Sequence, residues 1–106
     1  MKVKILGTKY KIKHVKADEA KVGDADGYHE PYSKEIVLVD IPESPEMVAN
    51  IEEYKKKVLR HEITHAFLHE SGLAGNAEWA RNEEIVDWIA LQFPKLLDVF
   101  KETECL

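Results

Sequence analysis

Only one cysteine occurs in the chain, Cys105, next to the last residue. An internal disulfide is therefore excluded, and the thiol is expected to be exposed and frayed rather than a nucleophile or ligand. This cysteine usage fits a reducing compartment, and the expected location is the cytoplasm. Long apolar runs are also missing. Nothing approaches the ~20 consecutive apolar residues that a membrane span needs. The opening Met1-Lys2-Val3-Lys4 leads into alternation rather than the apolar core of a secretory signal. Positive charge is in deficit, with 15 Lys and Arg against 20 Asp and Glu and a formal net charge of −5. That argues against a nucleic-acid partner. The lysines between Lys2 and Lys16 alternate with apolar residues and read as the wet face of strands. Repeats and low-complexity segments are absent, and 106 residues are the length of one domain, residues 1–106.

What is present divides into a strand-rich first half and a helical second half. Lys2-Val3-Lys4-Ile5 alternates, Gly7-Thr8 breaks the pattern, and residues 9–15 alternate again through Tyr10, Ile12 and His14. This predicts a hairpin, with His14 half-buried on the inward period. Residues 17–27 are polar and punctuated by glycine. Asp24-Ala25-Asp26-Gly27 has the wrong ligand order for a calcium loop and is read as a turn. Gly27-Tyr28-His29-Glu30-Pro31-Tyr32 is an aromatic loop or short strand, and Glu35-Ile36-Val37-Leu38-Val39 is the clearest strand.

Ser44-Pro45-Glu46 has the chemistry of a helix start: a capping hydroxyl, a proline suited to the first turn, and a carboxylate at the positive end of the dipole. A stripe of Met47, Ile51, Tyr54 and Val58 continues into His61 and His65, predicting a helix over about 45–70 with a possible break near Asn50 and a stop at Ser71-Gly72. Lys55-Lys56-Lys57 is taken as a solvated turn of that helix. After a small loop at 71–77, a last helix is expected over about 78–92. Pro94 should kink or end it before another apolar turn or two in Lys95–Lys101.

The middle helix carries the chemistry. His61-Glu62-Ile63-Thr64-His65 is an H-E-x-x-H motif. Residues four apart share one helix face, so two imidazoles can grip one metal ion from the same side. Glu62 is offset by ~100°, which sets its carboxylate beside the metal as a base for metal-bound water. A solvated charged face is the plain alternative. Against it, Val58, Leu59, Ile63, Ala66, Phe67 and Leu68 flank the motif, so the helix is expected to be buried on most sides. Buried histidines and carboxylates need a partner.

A third ligand is required. His69 follows His65 by four, but His61 and His69 stand ~12 Å apart along a straight helix, so His69 is assigned to the surroundings of the site. The longer pattern H-E-x-x-H-x-x-G-x-x-H fails, because Leu68 and Ser71 stand in place of its glycine and last histidine. The last helix offers Glu83, Glu84 and Asp87. Glu83 and Asp87 are four apart and share a face, so Glu83 can ligate while Asp87 takes a hydrogen bond from a ligating imidazole. Glu84 and Asp87 remain alternatives as ligand.

H-E-x-x-H followed some twenty residues later by E-x-x-x-D resembles the gluzincin arrangement, and more closely the ImmA/IrrE-like metallopeptidases of phages, mobile elements and their bacterial hosts. The matching pieces are Lys34 to Leu38, His61 to His69, and Glu83-Glu84-Ile85-Val86-Asp87-Trp88-Ile89-Ala90. The last is similar to the family's E-x-x-A-N/D-x-F-A, with Val86 and Ile89 in place of its Ala and Phe. The resemblance covers roughly residues 27–95. It implies a minimal zincin-like α+β domain, in which a small antiparallel sheet packs on the H-E-x-x-H helix with a C-terminal helix behind. It also implies Zn²⁺ on His61, His65 and Glu83, Glu62 as general base, and hydrolysis of a peptide bond in a protein or peptide substrate, such as a regulatory protein.

The strand near 35–39 is expected at the sheet edge, where a substrate could add as a further strand. Tyr28, His29 and Tyr32 are the candidates to donate to the oxyanion. The competing reading is a zinc-binding structural or interaction module without turnover, whose fourth coordination position would be closed. No oligomeric state follows from the sequence.

Overall fold

A computed structural model of the chain describes residues 1–23, 25–40 and 50–106. The expected helix start at Ser44-Pro45-Glu46, with Met47, lies outside the described residues, as does Asp24 of the expected turn. The described elements are β1 (Lys2–Ile5), β2 (Thr8–Val15), β3 (Gly27–Glu30), β4 (Glu35–Val39), α1 (Ile51–Glu70), α2 (Leu73–Asn76, one turn) and α3 (Glu83–Glu102). Short 3-10 turns at Ala17–Glu19 and Glu78–Arg81 complete the set. Among the described residues, no helix is long and apolar enough to cross a membrane.

The β1–β2 hairpin forms as its alternation predicts. Leu6 and Gly7 make the two-residue turn with φ of 47° and 84°. Positive φ at both positions matches the right-handed twist of the strands. Along β2, Tyr10 and Ile12 are buried while Lys9 and Lys11 face solvent. His14 continues the period but is exposed, with Asp40 3.9 Å away. The expectation of a half-buried His14 is corrected.

The sheet is mixed rather than antiparallel. Its strand order is β1-β2-β4-β3, and β2 and β4 run parallel, with Lys11 opposite Glu35 and Val15 opposite Val39. The two hairpins are each antiparallel. The stretch 16–26 between them is long enough to carry the chain past one strand position before β3 is laid down. β4 then folds back into the gap. So β4 is central, with Ile36 and Val37 fully buried, and among the described residues the sheet's edges are β1 and β3. The expected edge strand at 35–39 is corrected accordingly.

Helix α1 covers one face of the sheet. Ile5, Tyr10, Ile12, Ile36 and Ala66 form the core there, with Val3, Leu38, Leu59 and Ile63 packed against it. Asn50 caps α1 by accepting from Glu53 N–H, and the chain leaves it through Ser71 and then Gly72, whose φ is +87°. Leu68, Ala80 and Val86 form a smaller cluster under the start of α3.

Helix α3 runs through Pro94 without ending. A proline lacks the N–H that would bond the carbonyl four residues back, here Ala90. Arg60 on α1 supplies the missing donor: its Nε lies 2.6 Å from the Ala90 oxygen. With Arg60 in place Ala90 is 1% exposed, so the bond is shielded from water. Arg60→Ala is therefore expected to cost about 1–3 kcal/mol, the penalty for an unpaired buried carbonyl. Urea denaturation of the metal-free protein measures this.

Candidate metal centre

His61, Glu62 and His65 occupy the middle of α1, and Glu83 is the first residue of α3. Asn82 fixes that start by accepting from Ile85 N–H at 3.0 Å. The Glu83 carboxylate thereby reaches both imidazoles. Its Oε2 lies 2.9 Å from His61 Nε2, and its Oε1 lies 3.0 Å from His65 Nε2. The two Nε2 atoms are 3.1 Å apart. These three residues offer one donor atom each, all within 4.8 Å of one another, and could hold a metal ion. Burial would raise the Glu83 pKa, but the charges and hydrogen bonds of His65 and His61 outweigh it and hold the carboxyl below its ordinary value.

Asp87, one turn further along α3, sits 3.1 Å from His61 Nδ1, the nitrogen turned away from the cluster. A hydrogen bond there orients the ring and leaves Nε2 for the metal. Lys57 Nζ lies 2.9 Å from the same Asp87 oxygen. That hydrogen bond, against some burial and with help from His61, keeps the Asp87 carboxyl ionised below its usual range. Lys57 is thus part of the site rather than a solvated lysine. The signal was available, since Lys57 precedes His61 by four residues and shares its face. Glu84 is exposed and lies outside the cluster.

Glu62 is 7% exposed and does not join the three ligating groups. Burial pushes its carboxyl up to about 7, partly countered by His61 and reinforced by Glu83. It lines a cleft of about 370 Å³ together with His65, Glu83, Gly27, Tyr28 and His29. Gly27 is a residue the sequence reading missed. A Cβ there would lie 3.0 Å from Val58 Cγ1, 3.2 Å from the Val37 oxygen and 3.4 Å from Glu62 Cγ. Glycine is what lets β3 pass this close to Glu62. Gly27→Ala is expected to cost about 1–3 kcal/mol as overpacking, read from urea denaturation, and to disturb Glu62 directly.

Among the oxyanion candidates, Tyr32 is 98% exposed and remote from the cleft lining. His29 lines the cleft, but its Nε2 lies 3.3 Å from the hydroxyl of Tyr10. That buried hydroxyl donates to Glu70 Oε1 at 2.7 Å, so His29 must be the donor to the Tyr10 oxygen. Burial, with His69 and His65 adding, pushes the His29 pKa down to about 4. At neutral pH it therefore offers the cleft a lone pair rather than a proton. Tyr28 also lines the cleft, and its oxygen accepts from Lys21 N–H at 3.2 Å, leaving its own proton to give. His69 is exposed and edge-on to His29, with ring centroids 5.6 Å apart.

Glu70 closes α1 with three bonds. It accepts from Thr8 Oγ1 at 3.1 Å, Tyr10 at 2.7 Å and Lys34 Nζ at 2.6 Å. The Lys34 and Tyr10 bonds hold its carboxyl down at about 2, against the ordinary 4.5. A depressed folded-state pKa gives stability that is complete above the unfolded value and lost as pH falls through the folded one. Glu70→Gln should therefore lower stability at pH 7. Wild type and variant should converge as pH drops from 4.5 toward 2, measured by denaturant melts at several pH values.

No family model, curated protein or solved structure matches this chain.

Proposed function

We propose that this domain is a zinc-dependent peptidase in which His61, His65 and Glu83 hold the metal and Glu62 is the general base. The observation that carries the reading is the convergence of those three donor groups beside a buried carboxylate that stays outside the set. The fit to zinc is chemical and geometric. Two imidazoles and one carboxylate are a catalytic zinc donor set, and ligand atoms of a tetrahedral zinc stand ~3.3 Å apart. The contacts of 2.9 to 3.1 Å among the three side chains are close to that spacing, with His61 and His65 meeting different oxygens of Glu83.

Bound zinc would supply a water that ionises near neutral pH and an electrophile for a carbonyl oxygen. The chain's own residues do the rest. Glu62, whose carboxyl burial raises above its ordinary value, takes the proton of the attacking water and hands it to the leaving amine. Asp87 and Lys57 hold His61 in orientation. Tyr28 donates to the oxyanion.

The substrate is read as a peptide in extended form. Val39 N–H bonds the Asp26 oxygen at 2.9 Å, and pairing alternates along β3, so Tyr28 and Glu30 turn their backbone groups toward β4. Gly27 and His29 then present N–H and C=O to the free edge beside the cleft, where a substrate strand can add. A structural zinc site would be closed, and the cleft beside these ligands favours the catalytic alternative. The resemblance to ImmA/IrrE-like metallopeptidases points the same way and suggests a regulatory protein as substrate.

The test is metal content by mass spectrometry after zinc loading and dialysis, beside cleavage of an unfolded protein such as casein. One equivalent of zinc, with fragments that disappear on chelation and return on adding zinc, is the expected result. No retained metal in the wild type overturns the reading.

A further inference from the structure

Helix α3 turns Val86 and Ala90 inward, yet much of its remaining surface is apolar and exposed. Ile85, Trp88, Leu96 and Val99 are 37%, 62%, 43% and 51% exposed, and Gln92 stands at the middle of the stripe they form. The steps along this stripe, 85 to 88 to 92 to 96 to 99, are three, four, four and three residues. Such steps keep side chains on one helix face, as in a helix–helix seam. They also read the same in both directions about Gln92.

We propose that α3 packs antiparallel against α3 of a second copy of this chain, across a two-fold axis at Gln92. In that register Ile85 meets the partner's Val99, and Trp88 meets the partner's Leu96. Gln92 meets its own counterpart. A two-fold interface must be self-complementary, and the palindromic spacing satisfies that condition. A glutamine amide both donates and accepts, so two copies can pair across the axis and leave no polar group stranded at the centre. The area is also of the right order. The exposed surface of the four apolar stripe residues, Trp88 foremost, is on the order of 400 Å². A standard interface takes ~800 Å² per partner, of which roughly 60% is apolar. The charges do not suit an anionic membrane surface instead. Glu84, Asp87, Asp98 and Glu102 accompany Lys95 and Lys101 on this helix, and the chain carries −5 overall.

The pairing is independent of the metal reading and is tested without it. Sedimentation of the full chain over 1–100 μM should give a species of twice the 12.2 kDa chain mass. Trp88→Glu and Leu96→Glu, both surface changes, should each return it to monomer with an unchanged circular dichroism spectrum. In a Cys105→Ser background, Ile85→Cys protein mixed with Val99→Cys protein should form the mixed disulfide in preference to either self-pair, which a parallel pairing would not give. A wild type that stays monomeric over that range overturns the proposal, including one that instead binds phosphatidylcholine–phosphatidylserine vesicles. A dimer unaffected by either glutamate substitution, or a preference for self-pairs, overturns it as well.

Discussion

Glu62→Gln is expected to keep its metal and lose its turnover, by about 10²–10⁴-fold, the contribution of a positioned general base. The amide has nearly the shape of the carboxylate, so packing against Val58 and Gly27 should hold. It cannot accept the proton of an attacking water. Because Glu62 is outside the ligand set, metal content should stay at one equivalent while kcat falls and KM changes little. A second readout comes from stability. The folded-state pKa of about 7 lies above the ordinary 4.5, so the unfolded chain gives up its proton first. Ionisation then works against the fold. The penalty is absent below pH 4.5, grows between 4.5 and 7, and is complete above 7. The metal-free variant should therefore melt above wild type at pH 8 and together with it at pH 4. If turnover survives the substitution, Glu62 is not the base. If metal stays bound and neither wild type nor variant cleaves anything, the site is a structural one.

The cluster of His61, His65 and Glu83 was legible because its geometry is local. Four-residue spacing along one helix puts His61 and His65 together regardless of the rest of the fold, and the same spacing puts Glu83 and Asp87 on one face of α3. The choice between Glu83 and Glu84 was readable in the same terms. Adjacent helical residues are ~100° apart, and only one of them can face α1. The outcome is Glu83 at the imidazoles and Glu84 in solvent.

What was not legible depends on pairs of elements distant in sequence. Alternation along β2 does not say which strand lies beside it, so the parallel β2–β4 pairing could not be read from either strand alone. One clue was present. Ile36-Val37-Leu38-Val39 is an unbroken apolar run, the pattern of a strand with neighbours on both sides rather than an edge. At Pro94 the helical turns beyond it were legible, but whether the helix broke there was not, for the same reason. The local rule kinks or ends the helix, and the donor that satisfies the Ala90 carbonyl comes from Arg60, thirty residues before Ala90. Gly27 gave no signal of its own, because its role is defined by Val58 and Glu62 across the helix–sheet interface. The Tyr10–His29 contact likewise joins β2 to β3, which are not neighbours in the sheet.

Removal of the ligands should produce the largest change in metal affinity, and the order of the losses discriminates among their roles. Asp87→Ala takes away the acceptor that orients His61, and a change of this kind costs ~10–100-fold in affinity. His65→Ala removes a ligand outright, and its loss should exceed that range. Glu83→Ala should also exceed it. The loss should still be smaller than that of His65→Ala, because the Glu83 side chain is 72% exposed, against 17% for His65, and water can take its place on the metal. Competition of each variant with a chromophoric zinc chelator gives the three affinities. Glu84→Ala is the control, since Glu84 stands outside the cluster and its loss should leave affinity unchanged. If Glu83→Ala binds as tightly as wild type while Asp87→Ala loses the metal, the ligand is Asp87, and α3 must turn on binding to bring that side chain to the imidazoles. Losses at Glu83 and His65 alike, with Glu84→Ala silent, assign the three ligands as the geometry has them and leave Glu62 free for proton transfer.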